Sequence, residues 1–304
     1  MQQLNQATTT VTPAVQAEAT QLLTLLHDAD AIVVGVGAGL PASDGFTYTG
    51  ERFRDNFSDF IEAKGFIDML QAFVSDEAYS SLTEYWAFKS RFVVLNALDQ
   101  PVGMGHIALR ELLEGKQWHL ITTNADNGFR VAGYEPEKLF YYQGEYALMQ
   151  CRNFCHSMTY RDDRLMRQMA THQENCQIDA TLIPYCPVCG APLEINKRVS
   201  GKGMVESPDW VRQNHRYRDF LTQHQDECVL YLEIGVGNTT PQFIRQPFQQ
   251  RVLENPNARY VMMNAKPYRI PATIQPQTVR LREDIQSVLL EARNQQLITQ
   301  AANV

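Results

Sequence analysis

The stretch "AIVVGVGAGLPASDGF", residues 31–46, decides the fold of this chain of 304 residues. A short β-branched run passes directly into glycines, which is typical of a buried strand that feeds a tight turn. Gly37, Ala38 and Gly39 stand where such a turn can bring its backbone close to a pyrophosphate and point amides at it. Leu40 replaces the third glycine of the dinucleotide-binding fingerprint, so an ordinary turn remains the alternative interpretation of this motif.

Four further stretches repeat the pattern of a short apolar run followed by small or polar residues. They are "WHLITTNAD", "CVLYLEIGVG", "RYVMMNA" and, more weakly, "TVRLRED". Amphipathic segments of helical length lie between them, such as "GHIALRELLEGK". The alternation of strands and helices predicts an α/β fold with a Rossmann-like parallel sheet and helices on both faces.

Residues 147–200 interrupt this alternation, because cysteines, turns and short elements dominate there. We interpret them as a small module inserted into the sheet domain, with part of residues 45–100 adding helices to the small domain. The remaining predicted boundaries are a flexible N-terminal tail at 1–14 and a Rossmann-like domain at 15–146 and 201–295.

The composition excludes several classes of protein. Hydrophobic residues make up 44% of the chain and charged residues 20%, as in an ordinary globular protein. The formal net charge of −7 argues against a nucleic-acid partner, which requires a basic face. No apolar run approaches the roughly 20 residues that cross a bilayer, and the first residues lack the regions of a secretory signal. We therefore expect a cytoplasmic protein without a membrane partner.

Two close pairs of cysteines predict a metal site in the inserted module. Cys151 and Cys155 are separated by three residues, and Cys186 and Cys189 by two. Four thiolates complete the tetrahedral shell of a structural zinc ion and leave no position open for catalysis. A set in which His156 replaces Cys155 is the weaker alternative.

Polar or small residues follow three of the predicted strands, at the end where ligands bind in open α/β sheets. The candidates are Asn124 and Asp126 in "TTNADN", Gly235, Gly237 and Asn238 in "GVGN", and Asn264 in "MMNA". Their amide side chains could bond ribose hydroxyls or a base edge. Helix capping or turn formation is the plain alternative for each polar residue. We interpret His106 and His119 as structural.

Taken in order, these motifs resemble the sirtuin family. "GAGLPASDGF" resembles the glycine-rich loop of sirtuins, "TTNAD" their Thr-Gln-Asn-x-Asp motif, and the four cysteines their zinc module. "GVGNTTP" and "MMN" fall where sirtuins carry a Gly-Thr-Ser loop and an Ile-Asn element. The resemblance implies that NAD binds in a cleft between a Rossmann-like large domain and a small zinc domain.

The resemblance also implies a role for each group of candidate residues. Gly37, Ala38 and Gly39 would cradle the pyrophosphate. Asn124 would position the ribose or an ordered water, and Asp126 would hold the nicotinamide carboxamide. Further contacts with NAD are implied for Phe46, Phe53, Arg54, Gly235, Gly237, Asn238 and Asn264.

One departure from the sirtuin pattern changes the expected chemistry. Gln143 in "YYQGEY", residues 141–146, occupies the place of the sirtuin catalytic histidine. A general base must titrate near the operating pH, and a carboxamide does not, although it can orient a hydroxyl through its oxygen and its N–H₂. We therefore expect cleavage of NAD to survive and deacylation to be impaired. The sirtuin Phe-Gly-Glu segment that pairs with substrate peptides is also missing after the second cysteine pair.

The glutamine resembles that of the class M, macrodomain-linked sirtuins, in which an arginine after the zinc module takes part in catalysis. Arg198 is the candidate arginine. This resemblance implies an NAD-dependent protein ADP-ribosyltransferase, with a lipoylated carrier like the glycine cleavage H protein as acceptor. It also implies an operon-encoded macrodomain protein that reverses the modification. A weak NAD-dependent deacylase or delipoylase and an NAD-sensing binding module are the alternative functions.

Overall fold

The computed structural model describes residues 11–302. Residues 1–10 of the predicted tail lie outside the described residues. The first helix begins at Pro13, where the hydroxyl of Thr12 accepts a hydrogen bond from the amide of Val15 at 3.2 Å. Within the described residues, every helix is too short or too polar to span a bilayer.

The strands of the described chain form one large sheet and two small ones. In chain order they are β1 (Ala31–Val36), β2 (Trp118–Thr122), β3 (Leu139–Tyr141), β4 (Gly144–Cys151), β5 (Thr159–Tyr160), β6 (Gln173–Glu174), β7 (Gln177–Ile178), β8 (Leu193–Lys197), β9 (Val229–Ile234), β10 (Arg259–Met263) and β11 (Thr278–Leu281). The large sheet is parallel and has the order β11-β10-β9-β1-β2-β3. The antiparallel sheet β5-β4-β8 and the hairpin β6-β7 belong to the inserted segment.

The helices of the described chain fall between these strands and at both ends. They are α1 (Pro13–Asp28), α2 (Gly39–Ser43), α3 (Glu51–Lys64), α4 (Met69–Val74), α5 (Leu82–Val93), α6 (Met104–Leu112), α7 (Gly128–Val131), α8 (Asp163–Thr171), α9 (Pro208–Gln223), α10 (Arg245–Glu254) and α11 (Ile285–Ala302). A π-helical turn at Val94–Leu98 extends α5.

The strand order places a switch point in the middle of the large sheet. β1 pairs in parallel with both β2 and β9, so that Val33 stands opposite His119 on one side and Tyr231 on the other. β2 and β3 lie on one side of β1, and β9, β10 and β11 on the other. This is the doubly wound Rossmann order, and ligands bind in such sheets beyond the carboxyl ends of the strands where the order reverses. The predicted α/β class is confirmed.

Both faces of the large sheet are covered by helices. Successive residues of a strand point to opposite sides, so each strand contributes side chains to a core on either face. Val34 packs in one core with Leu109 of α6 and Leu289 of α11. Val33 packs in the other core with Phe248 of α10. Each fully buried side chain of this kind stabilises the fold by about 1.5–3 kcal/mol relative to its exposure, which holds the strand ends in fixed positions.

A third core, rich in aromatic residues, lies outside the large sheet. Phe57 of α3 and Phe88 of α5 have ring centroids 4.7 Å apart. The same core includes Met149 of β4 and Ile195 of β8. Helices of the segment 51–93 and the antiparallel sheet of the inserted segment therefore bury their apolar side chains together.

Candidate functional site

The glycine loops after β1 and β9 touch each other backbone to backbone. The amide of Gly37 donates to the carbonyl of Ile234, and that of Gly39 to the carbonyl of Gly235, both at 2.9 Å. A Cβ at Gly39 would lie 2.5 Å from the Cα of Gly235, which itself has a φ of +61°. Glycine is therefore required at both positions. The loops meet at the switch point of the sheet, where such a backbone can approach a pyrophosphate.

Asn124 is fixed to the first glycine loop from the end of β2. Its side-chain amide donates to the carbonyl of Gly37 at 3.0 Å, and its backbone amide donates to the hydroxyl of Thr122 at 2.9 Å. The Thr122 hydroxyl in turn donates to the carbonyl of Val36 at 3.0 Å. No described residue donates a hydrogen bond to the side-chain oxygen of Asn124, so that oxygen is left for a ligand.

One oxygen of the Asp126 carboxylate is buried without a partner. Oδ1 accepts from the amide of Gly128 at 2.8 Å, whereas Oδ2 has no hydrogen-bond partner among the described residues. Burial raises the pKa of the Asp126 carboxyl, against the opposing effects of His106 and of the Gly128 hydrogen bond. An unpaired buried acceptor costs about 1–3 kcal/mol. Asp126 Oδ2 is therefore suited to accept the N–H₂ of a ligand carboxamide.

A buried aspartate–histidine pair lies next to this carboxylate. Asp44 Oδ2 and His106 Nδ1 are 2.6 Å apart, and both side chains are fully buried. Burial acts to raise the pKa of Asp44, but hydrogen bonds with His106 and Gly105 outweigh it, so the pKa lies below its ordinary value. His106 Nε2 has no partner among the described residues, and a Cβ at Gly128 would lie 2.7 Å from it. Although we interpreted His106 as structural, its ring lies directly behind the Gly128 amide that bonds Asp126.

The arginine whose charge reaches Asp126 is Arg52, not Arg54. Arg52 is half-buried, and its positive charge lowers the pKa of Asp126 against the burial that raises it. Arg54 is exposed and forms no ion pair with any residue in 11–302. Phe53 is buried in the third core, and Phe46 is half-buried at the end of the first glycine loop. Arg52 is thus a further candidate beside Asp126, and the contact of Arg54 with NAD stays a prediction.

Asn238 and Asn264 converge on the loop after β9. Arg245 of α10 donates to Asn238 Oδ1 at 3.0 Å and also to the carbonyl of Val236. Asn264 Nδ2 donates to the same carbonyl at 3.1 Å. Arg245 is held in turn by the fully buried Glu233, with 2.7 Å between Nη2 and Oε1. No sequence motif indicated this pair, although a glutamate inside the apolar run of β9 was a usable signal.

Gln143 lies in a turn whose backbone conformation is restricted by close contacts. It lies between β3 and β4, is half-buried, and forms no side-chain hydrogen bond with a described residue. The following Gly144 has a φ of +90°, and a Cβ there would lie 2.3 Å from the carbonyl oxygen of Asn196. The backbone carbonyl of Gln143 accepts from the amide of Arg198 at 3.2 Å. The turn therefore presents a neutral carboxamide in a fixed backbone position.

Arg198 lies beside Gln143 and is positioned by aromatic rings and a carboxylate. Its guanidinium carbon is 5.0 Å from the ring centroid of Tyr142 and 5.6 Å from that of Trp210. Nη2 donates to Glu206 at 2.8 Å, whereas Nε is buried without a partner among the described residues. A guanidinium with a free donor can bind a phosphate or a carboxylate. The structure thus brings together two predicted residues that are distant in sequence.

The four cysteines form a cluster with the dimensions of a metal site. Their Sγ atoms all lie within 4.8 Å of one another. Cys151 and Cys189 are 3.5 Å apart, and Cys155 and Cys186 are 3.6 Å apart. A tetrahedral zinc ion with Zn–S bonds of about 2.3 Å sets its sulfur ligands roughly 3.8 Å apart, so the cluster fits zinc. His156 Nδ1 lies 2.9 Å from Cys155 Sγ, but the cysteines alone complete the set.

Two curated relatives carry names of enzymes that handle ADP-ribose, while no family model matches the chain. A protein ADP-ribosyltransferase of Staphylococcus aureus is 53% identical over 287 residues, which cover 94% of this chain and 90% of the relative. A probable bifunctional ADP-ribose hydrolase/ADP-ribosyltransferase of Fusarium oxysporum is 28% identical over 240 residues. That match covers 76% of this chain and 39% of the fungal protein.

Solved structures of Sir2 proteins share the architecture. A mutant Sir2 homologue in complex with ADP-ribose is similar to this chain with a TM-score of 0.61 and 16% sequence identity. The match covers 92% of this chain and 97% of that chain. At this identity the likeness shows the fold, and the predicted sirtuin resemblance is thereby confirmed at the level of architecture.

Proposed function

Because the chain belongs to the family of sirtuin-like protein ADP-ribosyltransferases, we propose that it cleaves the bond between nicotinamide and ribose in NAD and transfers ADP-ribose to a protein. The observation that carries this proposal is the unpaired, buried Oδ2 of Asp126 beside the glycine loops. A nicotinamide carboxamide supplies the N–H₂ that this oxygen lacks. This contact supports the binding of NAD, and the neutral carboxamide of Gln143 in place of a titrating base favours transfer over deacylation.

The rest of the dinucleotide would contact residues of the two glycine loops. In the proposal, the loop of Gly37, Ala38 and Gly39 cradles the pyrophosphate, and Asn238 and Asn264 contact the adenosine half. The amides of Gly37 and Gly39 are already bonded to Ile234 and Gly235, so the Ala38 amide is the donor left for a phosphate. Asn124 uses its free side-chain oxygen to orient the ribose or an ordered water, since its amide is already bonded to Gly37. NAD supplies the cleavable bond to ribose, and the buried Asp126 keeps the nicotinamide in a fixed orientation at this bond.

Gln143 and Arg198 would act on the acceptor side. Gln143 orients a ribose hydroxyl or the acceptor by hydrogen bonds, because its carboxamide cannot remove a proton at neutral pH. Arg198 binds a negatively charged group of the acceptor or of NAD through its free donor. These roles explain why ADP-ribosyl transfer, and not deacylation, is the favoured outcome.

The proposal also uses the domain division that the sequence predicts. NAD would bind where the sheet domain, residues 15–146 and 201–295, meets the small module at 147–200. The helices of the segment 51–93 share a core with that module, which supports their assignment to the small domain. The four cysteines would hold zinc, and the ion would stabilise the module without an open ligand position.

We retain a lipoylated carrier like the glycine cleavage H protein as the proposed acceptor, and a macrodomain protein as the partner that reverses the modification. The name of the fungal relative joins a hydrolase and a transferase of ADP-ribose in one protein, which supports such a pairing. The carrier itself is implied by the resemblance of Gln143 and Arg198 to the class M pattern.

The proposal is tested by incubating the protein with isotope-labelled NAD and a purified carrier, with and without lipoylation, followed by mass spectrometry. We expect release of nicotinamide and label on the lipoylated carrier. Nicotinamide release with no labelled protein would show a hydrolase, and NAD binding with no release would show a sensor. Either result contradicts the transferase.

The variant Gln143→His separates transfer from deacylation in the same assay. If only the missing base prevents deacylation, the variant will gain activity on an acylated peptide by at least about tenfold. If the wild-type protein already deacylated the peptide as fast as it transferred ADP-ribose, the proposed role of Gln143 would be contradicted. Gln143→Asn is the matched control, because it keeps the carboxamide and shortens its reach.

A further inference from the structure

A cavity on one face of the large sheet has no role in the proposed reaction. It has a volume of about 430 Å³ and lies between α9 and α10. Aromatic side chains from the sheet, both helices and two loops form its walls. They are Phe140, Tyr142, Tyr217, Tyr231, Phe243 and Phe248. A volume of this size is typical of small-molecule sites, which measure roughly 300–1,000 Å³.

The polar groups of this cavity lack protein partners. The side chains of Tyr217 and Tyr231 are only 8% and 3% exposed, yet neither hydroxyl forms a hydrogen bond with a described residue. Arg218 and Arg251 also line the cavity, and neither forms an ion pair with another residue in 11–302. Four donor groups without a described protein partner therefore line this cavity, with Arg218 exposed and Arg251 half-buried at its edge.

Arg251 lines the same cavity as both tyrosines. Burial raises the pKa of Tyr231 to about 12, and the positive charge of Arg251 opposes that rise. The same charge acts on Tyr217, whose pKa burial also raises. Both phenols thus stay protonated at neutral pH and donate. The donors and the guanidinium charge together select an anion, and the ring faces select a flat apolar body.

We propose that this cavity, which we call the α9–α10 site, binds a small aromatic carboxylate. The carboxylate would accept hydrogen bonds from Arg251 and from the hydroxyls of Tyr217 and Tyr231, and the ring would stack among the aromatic walls. Cations are excluded by the two arginines. An aliphatic acid would gain the ionic contact but lose the stacking of its ring on the aromatic walls.

The α9–α10 site adjoins the acceptor side of the proposed active site. The rings of Tyr142 and Phe243 have centroids 4.5 Å apart, and both line the cavity. Tyr142 directly precedes Gln143, and Arg198 lies over its ring. A ligand that packs against Tyr142 would therefore alter the position of Arg198 and with it the transfer step. This coupling rests on the proposed function, whereas binding at the site does not.

Binding is tested by calorimetric titration of the full chain with naphthoate, without NAD. We expect saturable binding of one equivalent, and binding at least about tenfold weaker for uncharged naphthol and for the aliphatic acid octanoate. Arg251→Gln should weaken naphthoate binding about tenfold, and Tyr231→Phe by a smaller factor. Arg216→Gln is the matched control, because Arg216 lies on α9 outside the cavity wall.

Three outcomes overturn the proposal. They are the absence of saturable naphthoate binding at millimolar concentration, equal binding by Arg251→Gln, and equal binding of naphthol. Arg218→Gln provides a second test if Arg251→Gln does not fold, and circular dichroism checks each variant. A separate assay follows nicotinamide release and carrier labelling at saturating naphthoate. Binding without any change in labelling would disprove the coupling, and it would leave the site and the transferase intact.

Discussion

The two sides of the candidate site are built in different ways. On the proposed dinucleotide side, Asn124 and Asp126 are buried, 7% and 3% exposed, and their side chains are bonded to the backbones of Gly37 and Gly128. On the acceptor side, Gln143 and Arg198 are half-buried, and the one side-chain hydrogen bond recorded for either goes to Glu206. In the proposed reaction, the residues that hold NAD for cleavage are therefore the ones with fixed geometry. The residues proposed to meet the acceptor have fewer side-chain bonds and can adapt to a partner.

The largest effect is expected at the rigid side, from Asn124→Ala. Loss of the bond to Gly37 and of the free oxygen should reduce the rate of nicotinamide release by about 10²–10³-fold. The fold should be retained, as judged by circular dichroism. Asn127→Ala is the control, because Asn127 caps α7 without a side-chain hydrogen bond. If the two variants released nicotinamide at equal rates, Asn124 would not belong to the site, and the contrast between its two sides would not hold.

Gly39→Ala tests whether the glycine loops must touch. The new Cβ would lie 2.5 Å from the Cα of Gly235, so the loops must separate at a cost of about 1–3 kcal/mol. We expect a lower free energy of unfolding in urea and a higher KM for NAD. Gly237→Ala is the control for stability, since nothing lies within 4 Å of a Cβ at that position. Equal stability of both variants would contradict the close contact.

A smaller effect is expected at the adaptable side. Arg198→Ala should reduce ADP-ribosylation of the carrier by about tenfold, because the variant loses one charged hydrogen bond. Nicotinamide release should change much less, because the dinucleotide side remains complete. Glu206→Gln is the control, since it removes the charge paired with Arg198 and leaves the guanidinium in place. An equal fall in both activities for Arg198→Ala would mean that the two sides are not separable.

The smallest effect is a gain in stability from Asp126→Asn. Burial raises the pKa of Asp126 in the folded state, so the ionised carboxylate opposes folding at neutral pH. The neutral amide removes this cost, and Tm should rise by about 2–4 °C per kcal/mol recovered. The gain should vanish as the pH falls through the folded-state pKa, where wild-type Asp126 is protonated. Nicotinamide release should fall in the same variant. A lower Tm at neutral pH would contradict the assigned burial cost.

Much of the architecture could be predicted because its signals are local. Each buried strand of the large sheet is a continuous apolar run, and each cysteine pair is close in sequence. The parallel sheet with helices on both faces followed from the alternation of strands and helices, whereas the order of its strands comes from the structure. Local pattern also placed Asn124 and Asp126 at a strand end.

The missed residues depend on contacts that sequence does not display. Asp44 and His106 meet across two elements, and so do Glu233 and Arg245. Arg54 matches the sirtuin motif by residue type, and its contact with NAD stays a prediction, whereas the proximity of Arg52 to Asp126 shows only in the structure. In helix α3 these two arginines are about 200° apart around the axis, so only one of them can face Asp126.

The hydrogen bond between the backbones of Gln143 and Arg198 closes the stem of the inserted segment. The chain leaves the large sheet after Tyr141, at the end of β3, and enters β4 at Gly144, whose cross-strand neighbour in β8 is Lys197. Because the segment shares a core with the helices of residues 51–93, the two together, with the cysteine cluster, form the unit that can be exchanged without changing the order of the parallel strands. In the proposed function, such an exchange would change which protein is recognised and leave the glycine loops of the sheet as they are.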